Sequence, residues 1–222
     1  MNNLTLVIPA KNESESLPVV LDELKKYNLK IKIILKEDDV ATIESIKNKN
    51  VEIIFQENQG YGDALIKGIN SVSTEYFCIF NADGSFNPKE LIPMMNLISK
   101  EKSDFVFASR YEKKAGSEDD TFLTYIGNKI FSLIGNIFFQ LNISDILYTF
   151  VLGKTNETKK LELKSNDFRF CVELPIKAKR NNLKLISFGS YERKRIAGKK
   201  KVNEFKDGLL ILFAMVKLFF KH

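Results

Sequence analysis

The sequence has a single histidine among its 222 residues, the final His222. That excludes histidine-based acid–base schemes. Cysteine is almost as scarce. Cys78 and Cys171 stand far apart in apolar runs, which excludes a disulfide framework and a zinc-binding spacing and predicts buried thiols in a reducing compartment. No stretch supplies the roughly 18 apolar residues of a membrane span. The start, Met1-Asn2-Asn3, leads straight into a strand pattern, so no secretory signal is expected. A phosphate-cradling G-x-x-x-x-G-K-[ST] loop is missing. There is no internal repeat, low-complexity tract or linker to split the chain. A hydrophobic content of 44% suits one substantial α/β domain. The formal charge of +6 is unevenly spread: residues 154–222 carry 18 Lys and Arg against 7 Asp and Glu, whereas residues 1–153 carry 16 against 21. A basic last third on a mildly acidic body predicts an anionic partner there.

Periodicity predicts strands over residues 4–8, 31–35, 51–55, 76–80 and 105–108. Helices are predicted between them over 17–27 (with Ser14 as N-cap), 40–47, 60–72 and 89–99. Such alternation implies a mostly parallel sheet with crossover helices. After Arg110 the pattern changes. Residues 112–120 are polar and suggest a flap, and 121–141 a long apolar-rich helix. Residues 148–152 suggest an edge strand, 167–180 a helix, 183–188 a strand and 208–220 an apolar terminal helix. We divide the chain into a main domain over 1–206 and a terminal helix over 207–222.

Chemistry-bearing residues gather where the first four strands end. The most informative stretch is Asn81-Ala82-Asp83-Gly84-Ser85, directly after an apolar run that suits a central strand. Ligands of open α/β sheets sit beyond the carboxyl ends of the strands, and Asp83 beside Asn81 and Ser85 offers hard oxygen donors suited to Mg²⁺ or Mn²⁺. As a plain turn, Asp83 would instead cap the helix opening near Pro88. Pro9 to Glu13, Lys36 to Asp39 and Asn58 to Gly62 follow the other three strands. Carboxylates there can bind a base or ribose, and glycines at a helix start allow close backbone approach.

Val7-Ile8-Pro9-Ala10-Lys11-Asn12-Glu13 resembles the opening of family 2 glycosyltransferases. Asn58-Gln59-Gly60-Tyr61-Gly62-Asp63-Ala64 is similar to their N-x-G-x-G-x-A helix, Asn81-Ala82-Asp83-Gly84 to their D-A-D-G metal site, and Ala108-Ser109-Arg110-Tyr111 to their G-S-R-Y strand end. Ser144-Asp145, Glu173 and Arg195 to Lys201 follow in the order of the dolichyl- and polyprenyl-phosphate sugar transferases. The resemblance implies a GT-A fold, a single Rossmann-like α/β domain, with a nucleotide-sugar donor and Mg²⁺ or Mn²⁺. It places Pro9, Ala10, Glu13, Glu37, Gln59, Gly62 and Asn81 around the nucleotide, with Asp83 on the metal. It places Arg110 and Asp145 near the reacting centre. The sequence departs from the family at Asn81, where a first metal aspartate is usual, and at Lys36-Glu37-Asp38-Asp39. It also has no counterpart of the membrane-spanning helices of many such relatives.

A lipid-phosphate acceptor needs no strong general base, whereas a sugar hydroxyl does, and Asp145 and Glu173 are then the candidates. Arg193, Arg195, Lys199 and Lys200 are candidates for binding an acceptor phosphate, closing over the donor or touching anionic lipid. The terminal helix reads as an interfacial helix or as a packing or homodimer element. The leading expectation is a cytoplasmic hexosyltransferase, peripheral on the membrane face. It would move a sugar to a polyprenyl-phosphate or lipid-linked glycan acceptor of the cell envelope. The alternative is a catalytically silent relative that binds a nucleotide and scaffolds such an assembly. A nucleic-acid partner is not expected, because no recognition module or stacking pattern accompanies the basic tail.

Overall fold

Runs such as Leu4–Pro9 (β1), Tyr76–Ile79 (β4) and Phe105–Ser109 (β5) are apolar on both faces and almost wholly buried, as strands covered by helices on each side must be. The computed structural model, which describes residues 1–198 and 201–220, sets them in one seven-stranded sheet. Lys30–Leu35 (β2), Glu52–Phe55 (β3), Val151–Lys154 (β7) and Leu185–Gly189 (β8) complete it, in the order β3-β2-β1-β4-β7-β5-β8. All neighbours are parallel except β7, which runs antiparallel to β4 and β5. Gly116–Ser117 (β6) and Tyr191–Glu192 (β9) form a separate parallel pair.

Two expectations change here. The strand expected at the edge over residues 148–152 lies inside the sheet and starts three residues later; Tyr148 and Phe150 instead point into an aromatic cluster with Phe80 and Phe86. Residues 112–120 are not a free flap. They hold β6, and Glu118 N–H donates to the Glu192 carbonyl (3.0 Å). A polar composition suggests a flap, but these polar groups find partners in a segment far along the chain.

Leu17–Leu24 (α1), Val40–Ile46 (α2) and Leu91–Lys100 (α4) bury Leu17, Val20, Leu21, Ile46, Leu91, Met94 and Ile98 against one sheet face. Tyr61–Ser71 (α3) and Phe170–Arg180 (α7) bury Leu65, Ile69, Phe170 and Leu174 on the other, and Glu204–Phe220 (α8), packed on α7, adds Ile211 and Met215 to that cluster. Each such side chain contributes on the order of 1.5–3 kcal/mol. Thr155–Lys160 (α6) follows β7. The terminal helix begins at Glu204, ahead of the expected residue 208. Ser16, not Ser14, precedes α1 at its N-cap, and its hydroxyl is turned to Glu13 (2.6 Å).

Phe122–Phe139 (α5) is built inside out. Its buried residues are Asn128, Ser132 and Gly135, while Phe122, Leu123, Ile126, Ile130, Leu133, Ile137 and Phe138 are exposed. By length and composition alone it could cross a membrane, against the expectation that no stretch would, because its polar residues break the apolar run without offsetting its overall hydrophobicity. It packs on α7 and α8, and Phe138 and Phe139 meet Phe219 edge-on.

Candidate active site

The carboxyl ends of β1, β2 and β4 open onto a cleft of about 690 Å³, walled opposite by the β6–β9 pair, α5 and α8. Pro9, Ala10, Glu13, Gln59, Asn81, Asp83, Arg110 and Arg195 all line it. At its centre Asp83 accepts the Ser85 N–H (3.0 Å) through Oδ1, and Asn81 Nδ2 donates to Ser85 Oγ (3.3 Å). The helix near Pro88 is capped by Asn87, which accepts the Lys89 N–H (3.1 Å). Asp83 is therefore released from the capping role that a simple turn would give it.

No three of His, Cys, Asp and Glu stand together as a ready-made metal site among the described residues. The donors that face the cleft here are the Asp83 carboxylate and the Asn81 amide, whereas Ser85 is buried and outside the lining. Such a pair suits Mg²⁺ or Mn²⁺ when substrate phosphates and water complete the shell. Asp83 already attracts a cation, because Arg195 Nη1 stands 3.6 Å from its Oδ2. The residues present thus fit a metal held jointly with a diphosphate.

Arg110 ends β5 in a buried ionic cluster. Its Nε donates to Asp145 Oδ2 (2.7 Å) and its Nη2 to Asp145 Oδ1 (3.1 Å), while Nη1 faces Glu192 (3.3 Å). The guanidinium lies over the Tyr148 ring at 4.7 Å. Burial alone would lower the Arg110 pKa, but Asp145 and then Glu192 hold it well above its ordinary value. Asp145 is buried behind Arg110 and outside the cleft lining. It is neither a turn nor a cap residue, and it aims the arginine.

Other expected residues sit apart. Glu173 faces away from the cleft: its carboxylate accepts the Lys164 N–H (3.1 Å) and Ser165 N–H (2.7 Å) and pairs with Lys177 (2.7 Å). It holds the loop over residues 164–167. That loop presses on the start of α3, where a Cβ on Gly60 or Gly62 would stand only 2.0 or 2.1 Å from a backbone oxygen. The close approach these glycines permit is made by the chain's own loop, and Gly62 is not in the cleft lining. Glu37 is exposed, whereas Lys36, Asp38 and Asp39 reach the cleft. Asp39 accepts the Asn12 N–H (2.7 Å) and caps α2. Arg193 pairs with Glu23 (2.9 Å), outside the cleft lining. Lys199 and Lys200 lie outside the described residues.

Several cleft residues escaped sequence reading: Asp119, Asp120, Thr124, Asn128, Glu192 and Ile211. Glu192 is the most consequential. Burial pushes its carboxyl above the ordinary value, opposed by Arg110 and by the Ser117 hydroxyl, which donates to it. The only signals in the sequence were the acid pair Asp119-Asp120 inside a polar segment and the charge density after Tyr191. Neither reveals that β6 and β9 pair.

A cleft at the strand ends of a mixed seven-stranded sheet, with Asp83 at its centre and one antiparallel strand beside β4 and β5, is the arrangement of a GT-A fold. Residues 5–160 match the family model described as glycosyl transferase family 2, and the chain belongs to that family. It is 24% identical over 225 residues to the dolichol-phosphate mannosyltransferase of Pyrococcus furiosus, covering 96% of this chain and 64% of that one. To the low-salt glycan biosynthesis hexosyltransferase Agl6 of Haloferax volcanii it is 20% identical, covering 82% and 46%. The chain thus spans less than two thirds of either relative. The fold is shared with glucosyl-3-phosphoglycerate synthase of Mycobacterium tuberculosis, solved with Mn²⁺, UDP and glucosyl-3-phosphoglycerate. The TM-score is 0.74 at 12% identity, covering 98% of this chain and 80% of that one.

Proposed function

We propose that this chain transfers a sugar from a nucleoside-diphosphate donor to polyprenyl phosphate at the cytoplasmic surface of the membrane. The observation that carries this reading is that the cleft and an exposed apolar face share two helices. Thr124 and Asn128 of α5 and Ile211 of α8 line the cleft, and the same helices expose Ile130, Leu133, Ile137, Leu209, Phe213 and Val216. An acceptor whose headgroup enters the cleft would leave its hydrocarbon tail beside that face. Exposed apolar area of this extent marks an interaction surface, and the basic last third of the chain suits an anionic leaflet.

Pro9, Ala10, Glu13 and Gln59, which line the cleft, would hold the nucleotide. Asp83, with Asn81 beside it, would hold Mg²⁺ or Mn²⁺, which when bound supplies positive charge against the leaving diphosphate. Arg195 adds a cation on the same side of the cleft, within reach of the diphosphate. A phosphate acceptor arrives already ionised and requires no base. That agrees with the engagement of Asp145 by Arg110 and the remoteness of Glu173. A hydroxyl acceptor on a lipid-linked glycan is the second reading, favoured by Glu192 in the cleft wall, whose carboxyl burial makes more basic than usual.

The test incubates the protein with Mn²⁺, a panel of radiolabelled nucleotide sugars and vesicles containing either polyprenyl phosphate or a lipid-linked disaccharide. Label should pass into the organic phase with polyprenyl phosphate. Transfer confined to the disaccharide would favour the second reading. Donor binding without transfer to either would leave a nucleotide-binding scaffold, in line with Asn81.

A further inference from the structure

The basic segment after β9 does more than stand near the cleft; it is tied across it. Arg193 N–H donates to the Ser85 carbonyl and Ile196 N–H to the Asp83 carbonyl (both 2.8 Å). The Ile196 side chain covers Gly84, so that a Cβ there would meet Ile196 Cδ1 at 2.4 Å. Arg195 bridges two carboxylates, Asp83 at 3.6 Å and Asp119 at 2.7 Å. Lys201 ion-pairs with Glu13. The segment's cations therefore neutralise the carboxylate proposed for the metal and the one proposed for the nucleotide.

We propose that this segment is an internal cation latch: without donor, Arg195 takes the place of the metal at Asp83, and the donor's diphosphate draws it away. The reading rests on Asp83 being the metal position. A guanidinium prefers bidentate contact with phosphate, and its contact with Asp83 is a single long one, whereas its contact with Asp119 is short. A diphosphate entering beside Asp83 offers Arg195 and Lys201 better partners and supplies the oxygens that the metal site lacks. Metal and nucleotide then bind with positive coupling, and reciprocity requires each to tighten the other by the same factor. With Asn81 contributing no charge, Asp83 alone must attract the ion, so one competing cation weighs heavily.

The experiment titrates Mn²⁺ by electron paramagnetic resonance into wild type, Arg195→Gln, Arg195→Lys and Asp83→Ala, each with and without a nucleoside diphosphate. Thermal unfolding confirms that each variant is folded. Arg195→Gln should bind Mn²⁺ more tightly than wild type without nucleotide, on the order of fivefold or more, and should lose most of the coupling. Arg195→Lys, which keeps the charge, should stay weak like wild type. A role for Arg195 confined to holding the fold would leave donor-free Mn²⁺ affinity unchanged or lower, and that result overturns the latch. If Asp83→Ala binds Mn²⁺ normally in the presence of nucleotide, the metal assignment falls and the latch with it. If that control loses binding but Arg195→Gln does not gain it, the latch alone falls.

Discussion

Asn81 and Asp83 sit two residues apart, yet only one brings charge to the cleft. Replacing Asn81 with aspartate supplies a second carboxylate at nearly unchanged volume. Calorimetry on Asn81→Asp should therefore show tighter Mn²⁺ binding in the presence of nucleoside diphosphate, and equal or weaker binding would mean that Asn81 serves another contact. Asp145 presents the opposite situation, a charge whose value lies in its partner. Asp145→Ala leaves the buried Arg110 with Glu192 as its near counter-ion, so denaturant unfolding should show a loss of roughly 3 kcal/mol. Glu173 is a stability residue with a pH signature. Burial alone would raise its pKa, but Lys177 and the Ser165 and Lys164 amides together hold it below the ordinary 4.5. A carboxyl depressed on folding stabilises at pH above its unfolded value, and that contribution fades as pH falls through the folded value. The stability gap between wild type and Glu173→Gln should thus be full near neutrality and shrink as pH falls below the ordinary 4.5. A gap independent of pH would contradict the ionic role.

Among the elements, α5 and α8 depart furthest from the habits of a water-soluble domain. Helices normally turn small and polar residues outward, whereas α5 turns Asn128, Ser132 and Gly135 inward. Reversing the exposed side should be benign for the fold and costly for attachment. Ile130→Glu with Phe213→Glu, at positions 50% and 68% exposed, should leave the melting temperature nearly unchanged and abolish co-sedimentation with anionic vesicles. Wild type should bind such vesicles at low salt and release partly at high salt. If wild type ignores the vesicles and self-associates instead, the face is a contact between two copies, and a soluble acceptor becomes the better reading. The sequence pattern disclosed both helices but not their orientation. Periodicity marks an apolar stripe and is silent on whether core or surroundings cover it. The same limit explains β7. Residues after Ser144 have a strand's composition, and only the tertiary pairing with β4 and β5 decides between edge and interior.

Over the whole molecule, the first half was the legible half. Each of the first four strands ends in turn residues that carry their own chemistry, so linear order predicted which groups meet at the sheet's edge, and Pro9, Glu13, Gln59 and Asp83 do meet there. The opposite wall was opaque, because it is assembled from β6 and β9, elements of two residues each and more than 70 positions apart, with no periodicity of their own. Charge asymmetry did point to that wall, but it could not show that Arg195 and Lys201 are turned onto the acidic half of the same chain. The central claim is that this cleft binds a nucleotide-sugar donor through a metal on Asp83. Isothermal titration of nucleoside diphosphates and their sugars into wild type and Asp83→Ala, with and without Mn²⁺, tests it most directly. At least one nucleotide should bind wild type with an affinity that rises when Mn²⁺ is added, and Asp83→Ala should lose that rise. Mn²⁺-enhanced binding that survives intact in Asp83→Ala would contradict the claim.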